Sequence, residues 1–73
     1  MSDNINPDHY KAGGVETIDY LRAKLSPEEF LGFCKGNVIK YASRALLKGG
    51  AEDYAKAAWY ASWLAGEDPR AKP

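Results

Sequence analysis

The sequence contains a single cysteine, and this scarcity excludes two common ways of stabilising a small domain. Cys34 cannot form an intramolecular disulfide, and with His9 as the only histidine it cannot belong to a zinc-ligand set. The 73 residues leave room for one domain, and a domain of this size buries only about 60% of its unfolded surface. Self-association is the remaining common device, so we expect a homo-oligomer. A lone thiol also suits the cytoplasm.

Long apolar runs and an excess of either charge are missing as well. The N-terminus, MSDNINPDHY, is polar, so neither a signal peptide nor a membrane span is expected. Ten basic and ten acidic residues cancel, so no overall field attracts the chain to nucleic acid or to a membrane. The sequence also lacks the GxxxxGK[ST] phosphate loop, the GxGxxG dinucleotide motif and the HExxH zinc motif. No metal site and no cofactor are therefore expected, and any basic character must be local.

What is present is helical periodicity, without the alternation of a strand or any internal repeat. Residues 1–14 are predicted to form an extended arm, because Pro7 stiffens it and two glycines end it. Apolar residues then recur at helical spacing over roughly 15–25. The sequence thus predicts an all-α domain over 15–66, with three helices, the N-terminal arm, and a tail at 67–73 that is expected to fray.

The second and third helices have clear start and stop signals. Ser26, Pro27 and Glu29 form the pattern of an N-cap, a first-turn proline and a capping box. This helix is predicted to run to about Leu47 and to stop at Gly49-Gly50. The third helix is predicted over roughly 51–65 and ends at Gly66.

Helix two is apolar on two sides, which predicts that it is sandwiched. We expect one stripe to face the core; it comprises Leu31, Val38, Ala42 and Leu46. The opposite side begins with Phe30, Phe33 and Cys34 and becomes basic further along. In so small a domain the second packing partner is expected to be another subunit.

Helix three has a smooth face of small residues and an opposite face with large aromatic rings. The small residues are Ala55, Ala58, Ala61, Ser62 and Ala65, and the opposite residues are Lys56, Trp59, Tyr60 and Trp63. For the two tryptophans, packing in the core or at an interface is the favoured interpretation. For Lys56 and Tyr60, packing and ligand contact stay equally open.

A polar and basic stripe on helix two is the main candidate for a site. It consists of Asn37, Lys40, Tyr41, Arg44 and Lys48. A solvated helix face is the ordinary interpretation of such spacing. However, no acidic residue lies between Gly32 and Gly50, so these cations have no helical ion-pair partner there. Arginine and lysine suit phosphate, and an aromatic ring can stack on a base. The stripe therefore predicts a nucleotide-like ligand. A helix-turn-helix DNA-binding domain is disfavoured by the zero net charge.

Several short motifs resemble those of the domain-of-unknown-function 3310 family, which is common in tailed-phage genomes and often labelled nucleotide kinase-like. The resemblance covers about residues 5–64. Its motifs are Asn6-Pro7-x-His9-Tyr10, Gly14-x-Glu16-x-Ile18-Asp19, Gly36-Asn37-x-x-Lys40-Tyr41-x-x-Arg44, Lys48-Gly49-Gly50-x-Glu52-Asp53 and Lys56-Ala57-x-Trp59-Tyr60. It implies a phage protein in the cytoplasm of the infected bacterium and a nucleotide-like ligand.

Three functions follow from the stripe and the resemblance together. The first is a non-enzymatic homo-oligomer that sequesters a nucleotide-derived immune signal, by analogy with small phage inhibitors of that kind. In it Lys40, Arg44 and Lys48 neutralise phosphates and Asn37 bonds ribose or base. Tyr41, Trp59 or Tyr60 stacks on the base. His9 and Tyr10 close the site from the arm. The second is a nucleoside monophosphate kinase, which some longer members of the family are, with Asp19, Glu52 or Asp53 on magnesium. The third is a module that docks on a host protein.

Overall fold

The computed structural model describes residues 11–12 and 15–71, and its architecture is helical. A minimal antiparallel pair of strands comes first, with Lys11 opposite Glu16 and Ala12 opposite Val15. The elements in chain order are β1 (Lys11–Ala12), β2 (Val15–Glu16), α1 (Thr17–Lys24), α2 (Pro27–Arg44), a π-helical segment (Ala45–Gly49) and α3 (Gly50–Leu64). The all-α class is confirmed. The periodicity did not reveal the strand pair, and the first helix begins at residue 17 because 15 and 16 are paired as a strand.

The predicted start of α2 is confirmed in every part. The Glu29 amide donates to Ser26 Oγ at 3.1 Å, and the Ser26 amide donates to Glu29 Oε1 at 2.9 Å. Pro27 occupies the first helical position. An N-cap of this type stabilises a helix by about 1 kcal/mol, so this end of α2 is firmly held.

The end of α2 is more elaborate than a stop at two glycines. Regular α-helix ends at Arg44, and the π-helical segment Ala45–Gly49 carries the chain on to α3. Gly50 has a φ of +56° and a ψ of −141°, which a residue with a side chain rarely adopts. Gly49 lies against the side chain of Asp53, where a Cβ would collide with the carboxylate. The two glycines are therefore required for different reasons.

The end of α3 matches its prediction. The Gly66 amide donates to the Trp63 carbonyl at 3.0 Å, and the Glu67 amide donates to the Ser62 carbonyl at 2.9 Å. Together with a φ of +84° at Gly66, these bonds form a Schellman motif.

The core lies between the two long helices, with α1 covering one end. Its buried members are Ile18, Phe30, Cys34, Trp59, Tyr60 and Trp63. The body is thus a pair of long helices with a two-turn helix beside it, rather than three comparable helices. Trp63 meets the rings of Phe30 and Trp59 edge-on, each with centroids 5.8 Å apart. Such edge-to-face contacts stabilise an aromatic core beyond the area they bury.

The predicted core stripe of α2 is correct at Val38, which packs against the core cluster, and wrong at both ends. Leu31 and Leu46, at the ends of the expected core stripe, are 44% and 81% exposed. The side with Phe30 and Cys34 is buried instead, because it faces the aromatic rings of α3. The small-residue face of α3 points away from this contact, with Ala58 and Ala65 exposed. The favoured interpretation of the tryptophans as packing residues is confirmed.

The tail was expected to fray, but its residues 67–71 are held against α1 through Arg70. Arg70 donates to both carboxylate oxygens of Asp19 at 2.9 Å, to Asp68 and to Glu16. Hydrogen bonding to the Arg70 guanidinium lowers the pKa of Asp19 and of Asp68, and these bonds raise the pKa of Arg70. Sequence patterns could not reveal this, because Arg70 and Asp19 are far apart in the chain.

Arg70→Gln is expected to weaken the acid sensitivity of folding. A carboxyl group with a lowered folded-state pKa contributes stability above its ordinary pKa, and loses that contribution as the pH falls through the folded-state value. The wild type should therefore lose more free energy of unfolding than Arg70→Gln between neutral pH and about pH 3. Urea unfolding at both pH values measures this. Arg22→Gln is the control, because Arg22 forms no ion pair with the described residues and its charge lowers the pKa of Asp19 and Asp68 less than Arg70 does. Equal losses in wild type and Arg70→Gln would contradict the assignment.

Candidate functional site

The structure gathers three cationic side chains around the ring of Tyr41. The Lys40 Nζ lies 4.6 Å from the ring centroid, the Arg44 guanidinium carbon 5.4 Å, and the Lys56 Nζ 5.5 Å. Lys40 and Arg44 come from α2 and Lys56 comes from α3, so two helices build the group. We call these four residues the Tyr41 cluster. It unites three residues of the predicted stripe with Lys56.

The Tyr41 ring is fixed from behind by the core. It stacks on Tyr60 with an interplanar angle of 6° and a centroid distance of 6.0 Å. Tyr60 is only 3% exposed, and it also contacts Phe33 and Trp59 edge-on. The cluster therefore has a rigid aromatic base, and its cations surround a ring that cannot move far.

A buried carboxylate lies beneath the cluster. Asp53 is 1% exposed; it accepts from Arg44 Nε at 3.0 Å and from Arg44 Nη2 at 3.2 Å. The Lys56 Nζ is 3.9 Å from Asp53 Oδ1, the oxygen that also accepts from Arg44 Nη2. Hydrogen bonding to Asp53 raises the pKa of Arg44. A fork of this kind fixes the guanidinium in one orientation.

Helical spacing could not reveal the Arg44–Asp53 pair, because it relates only residues within one helix. Asp53 is nine residues beyond Arg44, across the π-helical segment, and no helical spacing rule covers that distance. The available signal was the Gly-Gly step followed closely by an acidic residue. A sharp return of the chain there brings the first turn of α3 back onto the end of α2.

The remaining stripe residues have different surroundings. The Asn37 amide nitrogen donates to the Phe33 carbonyl at 3.0 Å, so that donor is used within the helix. Lys48 is exposed on the π-helical segment and forms no ion pair with a residue that the structure describes. It is not part of the contacts around Tyr41.

Of four further residues predicted to contact the ligand, two lie in the core and two lie outside the described residues. Trp59 and Tyr60 are 5% and 3% exposed, so their rings belong to the core. His9 and Tyr10 lie outside the described residues, as does most of the predicted arm.

The cluster can hold an anion, because its positive groups outnumber the carboxylate that contacts them. Two of the three cations, Arg44 and Lys56, contact Asp53, and its single negative charge compensates one of the three positive charges. Within residues 11–12 and 15–71, no three histidine, cysteine, aspartate or glutamate side chains lie together as ligands for a metal ion. In the same residues, no helix is long and apolar enough to cross a bilayer.

A cavity of about 440 Å³ lies at the other end of the helix pair, away from the cluster. Its wall includes Leu25, Pro27, Phe30, Leu31 and Trp63, with Arg22, Glu67 and Asp68 also lining it. The indole Nε1 of Trp63 is buried and has no acceptor among the described residues. The Arg22 guanidinium lies 5.0 Å from the Trp63 ring centroid. None of the predicted stripe residues lines this cavity.

Comparison of the sequence with known proteins identifies the protein family to which the chain belongs. The chain is similar to the Gene 1.7 protein of Enterobacteria phage T3, with 38% identity over 64 residues. That alignment covers 81% of this chain and 39% of the phage protein, so this chain spans well under half the length of that relative. No solved structure matches the chain. The profile of the family described as protein of unknown function (DUF3310) matches residues 5–62, which is most of the sequence. The chain therefore belongs to the DUF3310 family.

Proposed function

We propose that the protein is a phage nucleotide-binding protein that holds its ligand without converting it. In this proposal it self-associates in the cytoplasm of the infected bacterium and sequesters a nucleotide-derived immune signal. The observation that supports it best is the Tyr41 cluster, in which three cations surround one aromatic ring. A phosphate group needs positive charge, and a base needs a flat surface beside it.

The roles of the cluster residues follow from their exposure. Lys40 is exposed and bears no ion pair to a described residue, so its ammonium group is available to a phosphate. Arg44 is held by Asp53 but its side chain is 46% exposed, which leaves part of the guanidinium accessible. Tyr41 is the aromatic residue of the set that reaches the surface, because Trp59 and Tyr60 are buried. Asn37, Lys48, His9 and Tyr10 remain as the outer contacts of the proposed site.

A nucleoside monophosphate kinase is the second candidate. Phosphoryl transfer uses magnesium held close to the phosphates by carboxylates. The carboxylates proposed for this role are otherwise engaged: Asp53 binds Arg44 beneath the cluster, and Asp19 binds Arg70 near the tail. Glu52 is exposed in the first turn of α3. We therefore place binding without turnover first.

The experiment that tests the proposal is incubation with a nucleotide panel, ATP and magnesium, followed by denaturation and analysis of the released molecules. Sequestration predicts that a bound nucleotide returns chemically intact. A new nucleoside diphosphate would establish the kinase in its place. Absence of any binding would leave the third function, a module that docks on a host protein through its exposed apolar residues.

A further inference from the structure

The outer side of α2 and the π-helical segment after it carry a stripe of apolar residues that none of the described residues covers. Leu31 and Ile39 are 44% and 58% exposed, and Leu46 and Leu47 in the π-helical segment are 81% and 82% exposed. On a helix, positions 31, 39 and 46 fall on one side. The exposed Lys35 lies between Leu31 and Ile39 on this side. Four exposed large aliphatic side chains, two on α2 and two on the π-helical segment, are more than the scattered exposure of a monomer surface. We call these four residues the outer stripe.

The outer stripe is arranged so that it can pair with itself. Leu31 lies eight residues before Ile39, and Leu46 lies seven residues after it. If two copies of α2 lie antiparallel with Ile39 near the two-fold axis, Leu31 of each copy meets Leu46 of the other. A parallel arrangement would instead place each residue beside its own equivalent.

The charges at the two ends of α2 also favour the antiparallel arrangement. Glu28 and Glu29 lie in the first turn, and Lys48 lies just beyond the last turn. Antiparallel helices bring the acidic end of one copy to the basic end of the other, and their dipoles oppose. At its N-terminal end the stripe also reaches the cavity described above, since Leu31 forms part of that wall.

We propose that the outer stripe is the interface of an antiparallel homodimer, or of a larger even-numbered assembly built from that dimer. The inference rests on the self-association in the proposed function and names its surface. An isologous contact uses the same patch on both subunits, as this pairing does. A stable interface buries about 800 Å² of each partner, which is about one sixth of the 4944 Å² surface of the chain.

Sedimentation of wild type, Ile39→Asp and Tyr20→Asp at one concentration tests the interface. We expect an even-numbered wild-type assembly, and we expect Ile39→Asp to reduce the mass at least twofold while keeping its helical circular dichroism. Tyr20 is 48% exposed on α1, outside the stripe, so Tyr20→Asp is expected to assemble as wild type does. A monomeric wild type, or an unchanged Ile39→Asp assembly, would overturn the proposal.

Cross-linking with a short bis-maleimide tests the orientation independently of any folding defect. We expect Leu31→Cys mixed with Leu46→Cys to cross-link, and Ile39→Cys to cross-link to itself. Cys34 is fully buried, so the wild type is the unreactive control. Efficient linking of Leu31→Cys to itself would show parallel pairing and overturn the proposal. The outcome is separate from nucleotide binding, since a dimer that binds no nucleotide would refute the proposed function and leave the interface intact.

Discussion

Trp63→Ala is expected to lower the free energy of unfolding by about 3–5 kcal/mol, the usual cost of truncating a buried aromatic residue. Trp63 is 6% exposed and joins all parts of the core, since it meets Phe30 of α2 and Trp59 within α3. The guanidinium groups of Arg22 and Arg70 lie 5.0 and 5.3 Å from its ring centroid. The ring therefore supports the helix pair, α1 and the tail together.

A loss of about 3–5 kcal/mol should remove much of the stability of so small a domain. A chain of this length has about 4–11 kcal/mol of total stability, so the variant is expected to be largely unfolded under mild denaturant. Urea unfolding followed by circular dichroism, at a fixed protein concentration, measures the change. Leu64→Ala, at the adjacent and more exposed position, should cost about 1 kcal/mol or less. A variant as stable as Leu64→Ala would show that Trp63 does not organise the core.

Gly49→Ala is expected to cost about 3 kcal/mol or more, because the new methyl group occupies the place of the Asp53 carboxylate. Either the backbone of the π-helical segment shifts or Asp53 leaves Arg44. The second outcome breaks a bidentate pair whose acidic member is 1% exposed. Urea unfolding measures the loss, and thermal unfolding should show the same order of stability.

Gly36→Ala is the matched control for this substitution. Gly36 lies within α2, and nothing in the described chain lies within 4 Å of the position of an added Cβ. Alanine there should raise the free energy of unfolding by about 0.5–1 kcal/mol. The expected signs at positions 36 and 49 are therefore opposite. A destabilised Gly36→Ala would reveal a close approach at that glycine, and an unperturbed Gly49→Ala would refute the contact with Asp53.

Local signals in the sequence predicted local structure well. The Ser26–Glu29 capping box and the Gly66 stop are each determined by a few neighbouring residues, and both were predicted. The side of α2 that faces the core was predicted only in part, for a physical reason. Both sides of the helix are apolar, so periodicity cannot choose between them. The choice depends on the aromatic rings that α3 supplies, which is information from another helix.

The candidate site shows the same division between local and distant information. The spacing of Lys40, Tyr41 and Arg44 placed them together correctly, because a single helix sets it. The arrival of Lys56 at the same ring, and of Asp53 beneath it, depends on the sharp turn at Gly50. The anchoring of the tail by Arg70 depends on contacts between opposite ends of the chain. Residue spacing within a single helix cannot predict such contacts between different parts of the chain.

A calorimetric titration of Lys40→Ala beside wild type measures directly whether the Tyr41 cluster binds a nucleotide phosphate. Arg44 is unsuitable for this purpose, because its loss would leave the buried Asp53 without its bidentate partner. Lys24→Ala is the matched control: its Nζ lies 5.7 Å from the Tyr20 ring centroid, a lysine–tyrosine pair distant in sequence from the cluster.

Lys40→Ala is expected to bind the nucleotide at least about tenfold more weakly, because it loses one charge-assisted phosphate contact. Lys24→Ala should bind as wild type does, and both variants should keep the wild-type helicity and assembly. Equal affinities for wild type and Lys40→Ala would contradict the claim, and the basic stripe would then be a solvated helix face.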